Sequence, residues 1–191
     1  ACALGAVNLF NRNYIEYGAT KIVNWYLVGS TYPIEPYYQQ PPAMFASSPW
    51  SGSYALKPII WSYAHYGQFT RIGWRYIPGA CVKLDGGGTA VALRSESGDY
   101  SIIAETAGAS RSQQIVFQVG KELSTNSLCV WRTTRAEHFE RLADITPNPD
   151  GVFSVTLDPD AIYSVSTTSG QQRGTFASVP EAKPFPFPYL E

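Results

Sequence analysis

Few side chains in this sequence could carry chemistry. The 191-residue chain has two histidines, His65 and His138. A Ser/His/Asp or Cys/His device needs one of them beside a nucleophile, and the sequence has no Gly-x-Ser-x-Gly elbow. His65 sits in the middle of an apolar and aromatic stretch, "PIIWSYAHYGQF", and is expected to be a packed structural residue. Paired carboxylates are the other option, because glycoside hydrolysis needs one as acid and a second as base or nucleophile. Ahead of residue 72 there are only Glu16 and Glu35. Glu16 closes an amphipathic stretch and reads as solvated or salt-bridged, whereas Glu35 lies in an aromatic loop, where it could face a cleft. One carboxylate cannot fill both roles, so these residues read as part of a site that lacks its full set. Cys2, Cys81 and Cys129 are too widely spaced for a zinc pattern. One disulfide with a free thiol, or three buried thiols, both stay open. Gly86-Gly87-Gly88 is turn chemistry and not a phosphate loop, since neither Lys-Ser/Thr nor a helix follows it. No metal and no cofactor are expected.

The elements that must hold these residues fall into two grammars. In residues 3–17, "ALGAVNLFNRNYIEY", Leu4, Val7, Phe10 and Tyr14 recur at helical spacing, which predicts an amphipathic helix ending near Gly18. Residues 20–28 are apolar with almost no alternation, the pattern of a strand buried on both faces, with Trp25 in its middle. Residues 29–52 hold Pro33, Pro36, Pro41, Pro42 and Pro49 among Tyr32, Tyr37, Tyr38, Phe45 and Trp50. So long a loop in a compact domain is expected to be functional. Pro58 opens a second predicted helix over 58–69, with Ile60, Tyr63, Ala64 and Gly67 on one face. Helix, buried strand, long loop and helix make up the grammar of an α/β barrel or doubly wound domain.

After about residue 72 the pattern changes. "TAVALRSE", "YSIIAETA", "QQIVFQV", "NSLCVWRTT", "VFSVTLD" and "AIYSVSTT" follow one another between turn signals such as Asn148-Pro149-Asp150-Gly151, as in a β-sandwich. The tail, "EAKPFPFPYLE", alternates Pro and Phe and is expected to be extended, a linker or strap.

Composition excludes some functions. Charged residues make up 15% and the formal net charge is −1, so no basic field draws in nucleic acid or anionic lipid. Aromatic residues reach 14%, which suits β-protein cores and also clefts in which a sugar stacks on a ring. No stretch is long enough to span a membrane, and there is no Asn-x-Ser/Thr sequon. The first residues, "ACALGAVNLF", have neither an initiator Met nor a basic n-region, so the sequence is expected to begin inside a longer chain.

The segments "YGATKIVNWYLVGSTY", "PWSGSY", "AHYGQFTRIGWRYI" and "YSIIAET", in this order and continued to "KPFPFPY", resemble the galactocerebrosidase (galactosylceramidase) family of glycoside hydrolases. The resemblance implies a multi-domain α/β plus all-β architecture. Residues 1–71 would be the last helix-strand-helix elements of a (β/α)8 TIM barrel, residues 72–182 a β-sandwich and residues 183–191 the linker or strap. It also implies a retaining glycosidase acting on galactosylceramide or a related β-galactoside, with a glycan or glycolipid partner and a secreted or lysosomal location. Trp25 matches a substrate-contacting Trp at the end of the last barrel strand, and Tyr37 a substrate-contacting Tyr in the loop that follows. The family's two catalytic glutamates lie on earlier strands, in the remaining N-terminal barrel. This segment alone is therefore expected to be inactive. The family's sandwich loop, with an Arg that reaches substrate and a Cys that pairs upstream, is much shorter here as "ETAGASRSQQIVF". Its role is not carried to Arg111, and the pairing of Cys2 is put in doubt. Two other readings stand beside this one: a non-catalytic carbohydrate-binding or scaffold module, and a relative that accepts a different β-linked sugar.

Overall fold

The computed structural model describes residues 2–24, 27–30, 42–175 and 178–186. Helix α1 (Cys2–Tyr17) forms where the helical spacing predicts it. Ala3, Val7, Phe10 and Asn11 are its buried face. It stops at Gly18, whose φ of 67° is left-handed and lets its N–H donate to the Tyr14 carbonyl at 2.8 Å. A second helix, α2 (Ile60–Gly67), follows Pro58. Its buried face is Trp61, Ser62 and His65, a correction to the expected Ile60, Tyr63, Ala64 and Gly67. The helix is turned toward the groups that pair with His65 and the rings that stack on Trp61, and these outweigh the aliphatic stripe.

Strands occur in each of the six alternating segments: β6 (Thr89–Arg94), β7 (Tyr100–Glu105), β8 (Gln113–Gln118), β9 (Cys129–Thr133), β11 (Val152–Leu157) and β12 (Ile162–Ser166). Three two-residue strands, β4 (Arg75–Tyr76), β5 (Val82–Lys83) and β10 (Glu140–Arg141), escape a pattern search because alternation needs more residues to show. Among the described residues they form one antiparallel sheet in the order β10-β9-β12-β7-β6-β4, with β5 also on β6. β8 and β11 pair separately as a ribbon. Ribbon side chains Ile115, Phe117, Phe153, Val155 and Leu157 pack against Ala90, Ala92, Ile102, Ala104, Val130, Tyr163 and Val165 of the sheet. Each large apolar side chain buried this way contributes about 1.5–3 kcal/mol. β7 and β12 are buried at every position, while β8 alternates half-buried and exposed. The large sheet is therefore covered on both faces, with α1 against β6 and β7 on the face away from the ribbon.

The chain forms two compact units, residues 1–22 with 61–173, and residues 23–60 with 174–191. The division read from the sequence at residues 71 and 72 follows element type; compactness instead groups both helices with the strands after them. In the second unit, β1 (Val28–Gly29) pairs parallel to β2 (Met44–Phe45), which pairs antiparallel to β3 (Ala55–Leu56). The expected buried strand over 20–28 is not found in the described residues. Only Val28 joins a strand, and Val23, Leu27 and Val28 are 81%, 59% and 56% exposed. An apolar run becomes a strand buried on both faces only where layers cover it, and here β2 is its one described strand neighbour. A 3₁₀ turn at Pro49–Ser51 presents Trp50 to the tail. The Trp50 indole N–H donates to the Lys183 carbonyl at 2.8 Å, and its ring meets Phe185 edge-on at 5.1 Å.

The turn of three glycines brings two backbones together. Gly88 has φ 99°, and a Cβ there would lie 2.0 Å from the Glu105 carbonyl oxygen. Gly88→Ala is expected to destabilise the protein by more than about 2 kcal/mol in urea denaturation. Gly79→Ala, with ordinary φ and open space around it, should change stability by less than about 1 kcal/mol.

Candidate functional site

Trp25, Tyr37 and Glu35 lie outside the described residues. The backbone that holds them is described on both sides. The Met44 N–H donates to the Leu27 carbonyl at 2.9 Å and the Ala46 N–H to the Gly29 carbonyl at 3.0 Å. Val28 and Gly29 stand in register with Met44 and Phe45. The parallel ladder thus pins both ends of the loop that carries Tyr37 side by side, and Trp25 precedes that ladder by three residues. β3 braces the ladder from the far side, with the Lys57 N–H on the Ala43 carbonyl at 2.8 Å and the Lys57 ammonium 5.5 Å from the Phe45 ring centre.

Glu16, Glu105 and His65 of the first unit are held by structural partners. Glu16 pairs with Arg12 at 3.0 Å and Lys83 at 2.6 Å, and these hydrogen bonds lower its pKa to about 2. This is the salt-bridged residue expected from its place in the sequence. Glu105 is fully buried. Its Oε1 accepts from Asn8 Nδ2 at 2.9 Å and Thr89 Oγ1 at 2.6 Å, and its Oε2 from the Ala107 N–H at 2.7 Å. Beside it Asn11 Nδ2 donates to the Ile103 carbonyl at 3.2 Å, and Asn11 Oδ1 accepts from the Tyr66 hydroxyl. Burial raises that Tyr66 hydroxyl well above the usual phenol range. The sequence reading missed Glu105, Asn8, Asn11 and Tyr66. The available signal was Ser101 and Glu105 at the same parity of an otherwise apolar strand, which marks a buried polar face.

His65 is likewise buried, with Nδ1 2.8 Å from Ser164 Oγ and Nε2 2.8 Å from Thr133 Oγ1. Ser164 Oγ lies 3.3 Å from the His65 carbonyl, to which its hydroxyl donates. That leaves Ser164 Oγ to accept from Nδ1–H and Thr133 to donate to Nε2, a neutral ring with the proton on Nδ1. Removal from water lowers the His65 pKa to about 3. This is the packed histidine the sequence suggested. His138 stacks on Trp61 at 5.6 Å, and its Nδ1 is buried with no hydrogen-bond partner among the described residues. Cys81 and Cys129 are free thiols raised by burial, and the Cys2 side chain is outside the described residues. Among the described residues no three His, Cys, Asp or Glu side chains gather as metal ligands. Nor is any helix among them long and apolar enough to cross a membrane.

The fold defines a class first. The catalytic domain of a GH30 xylanase C from Talaromyces cellulolyticus superposes with a TM-score of 0.67 at 14% identity, over 87% of this chain and 35% of that one. A GH30 endoxylanase from Clostridium papyrosolvens C71 gives 0.52 at 15% identity, over 60% and 28%. The chain therefore shares its fold with part of these glycoside hydrolases. Residues 1–68 match the model of glycosyl hydrolase family 59. Across 96% of its length the chain is 32% identical to the galactocerebrosidase of Mus musculus, 31% to that of Homo sapiens and 30% to that of Salmo salar. It spans about 30% of the length of these relatives.

The buried imidazole makes stability depend on acid. With the folded pKa near 3 and the unfolded value about 6.5, the unfolded chain takes up the proton first. The contribution of His65 is complete above pH 6.5 and is lost as pH falls toward 3, at up to about 1.4 kcal/mol per pH unit. His65→Gln should flatten this dependence between pH 6.5 and 4, read from urea unfolding at several pH values. Parallel profiles for the two proteins would refute the assignment.

Proposed function

We propose that this segment forms one side of the active site of a retaining glycosidase that cleaves the β-galactosyl bond of galactosylceramide or a related β-galactoside. The observation that carries this reading is the match to galactocerebrosidases over 96% of the chain, at up to 32% identity. In this reading residues 1–71 are the closing elements of a TIM barrel, residues 72–182 a β-sandwich and residues 183–191 a strap. Barrel sites lie at the C-terminal ends of the strands. Trp25, just ahead of the pinned ladder, is the stacking platform for the sugar, and Tyr37, in the tethered loop, walls the pocket and offers its hydroxyl. The exposed Val23, Leu27 and Val28 are the surface that further barrel elements would cover. That cover would restore the buried strand expected from the sequence.

The reaction itself needs a protonated carboxyl at the glycosidic oxygen and a carboxylate at the anomeric carbon, about 5–5.5 Å apart. Within this segment Glu16 and Glu105 are committed to Arg12, Lys83, Asn8, Thr89 and a backbone amide. The resemblance to the galactocerebrosidase family implies that both catalytic carboxyls lie on earlier strands, in the rest of the protein. The segment's part is orientation, which converts binding energy into a reactive geometry. A secreted or lysosomal setting follows from the substrate.

The test uses the protein extended upstream of Ala1, assayed on galactosylceramide and on a chromogenic β-galactoside. Trp25→Ala should lower kcat/KM by about 100-fold, and Tyr37→Phe by about tenfold, in proteins with wild-type melting curves. The 191-residue chain alone should turn over neither substrate. Full activity in Trp25→Ala would return that residue to packing and leave a carbohydrate-binding or scaffold module as the better description.

A further inference from the structure

A second recessed surface lies on the first unit, at the β4 edge of the sheet, and nothing in the glycosidase reading uses it. It is a cleft of about 610 Å³ between the β4–β6 pair and the turn at residues 120–123. Arg75, Arg94 and Lys121 line it together with Glu122. Its floor is apolar and rigid, since Ile77 and Leu123 pack into the core below. A smaller adjoining cleft of about 170 Å³ shares Arg75 and Arg94 and adds Ser95 and Glu96.

The arrangement of charge is unusual. Arg75 and Arg94 are direct cross-strand partners in the antiparallel ladder, which sets their Cβ atoms about 4.5–5.5 Å apart. Like charges placed so destabilise a sheet. Glu122 offsets one of them, with its Oε2 2.8 Å from Arg94 Nη1. The carboxylate is delivered there by the 120–123 turn, which Gly98 admits: φ there is 91°, and a Cβ would lie 2.6 Å from the Glu122 carbonyl oxygen. Among the described residues neither Arg75 nor Lys121 has a salt-bridge partner. Arg75 and Lys121 thus line one recess beside the Arg94–Glu122 ion pair, with an apolar floor beneath.

We propose that this cleft binds a small ligand bearing an oxyanion, a carboxylate or sulfate carried on a body of sugar size. The guanidinium of Arg75 takes the oxyanion, since its planar fork matches two oxygens at once. Lys121 adds charge from the opposite wall, and the apolar floor takes the ligand's less polar face. The cleft falls within the size range of small-molecule sites, about 300–1,000 Å³. The proposal stands apart from the galactosidase reading, because binding is measured without hydrolysis and on residues remote in sequence from Trp25 and Tyr37.

Isothermal titration of the protein with D-glucuronate and with inorganic sulfate tests it, with galactose as neutral control. Saturable binding of either anion is expected, weakened at least tenfold by Arg75→Gln, weakened again by Lys121→Gln, and weakened by added NaCl. Galactose should not compete. Arg75→Gln should also raise the melting temperature of the ligand-free protein at low salt, because it removes the cross-strand repulsion. The variants change exposed side chains, so loss of fold will not mimic loss of binding. No saturable binding of either anion, affinity unchanged in both variants, or binding of galactose as tight as that of glucuronate would each overturn the site. So would an Arg75→Gln protein that melts lower than wild type, which would make the arginine a structural residue.

Discussion

A sheet covered on both faces has nowhere to send a polar side chain except to another buried group, and this constraint organises the first unit. On the ribbon side β6, β7 and β12 offer Ala, Ile, Tyr and Val. On the helix side they offer Thr89, Ser101, Glu105, Ser164 and Ser166, all buried. Unpaired, each such group would cost about 1–3 kcal/mol. The pairing is complete where it matters most. Ser101 donates to the Phe69 carbonyl at 2.6 Å, just past α2; Ser164 meets His65 of α2; and Glu105 meets Asn8 of α1. Hydrogen bonds are directional, so these contacts fix where each helix lies on the sheet more sharply than an oily face could. The same requirement explains the inward rotation of α2 and the neutral, deeply buried imidazole.

Much of this was legible in the sequence, and the failures have physical causes. The period of α1 and its Gly18 stop, the six longer strands and the glycine turn could all be read because each is dictated by neighbours along the chain. The buried face of α2 could not, since it depends on Thr133 and Ser164, 68 and 99 residues away. Nor could the fate of residues 20–28, whose apolar run states that the segment should be covered but not by what. The candidate site residues, which lie outside the described ones, were suggested only by resemblance. A lone Trp25 and a Tyr37 among many tyrosines have no spacing that singles them out, whereas the order of several long matched segments does.

The described part of the second unit holds little regular structure. Among its described residues three strands of two residues each, in one parallel and one antiparallel pair, set Val28 beside Met44 and Gly29 beside Phe45. Trp50, reaching from its 3₁₀ turn to Lys183 and Phe185, ties the far end of the sequence to the same small sheet.

The strand order of the large sheet also bears on how the protein is made. Among the described strands β12 is the last to emerge in sequence, yet it lies between β9 and β7 and pairs with both. Until residue 166 has been synthesised, β7 and β9 each present an open backbone edge, and the β6–β7 hairpin with α1 has no neighbour on its inner side. Such edges invite pairing with other chains. The closing strand "IYSVS" therefore acts as a keystone, and translation pausing or truncation short of it would leave an assembly intermediate that is apt to aggregate.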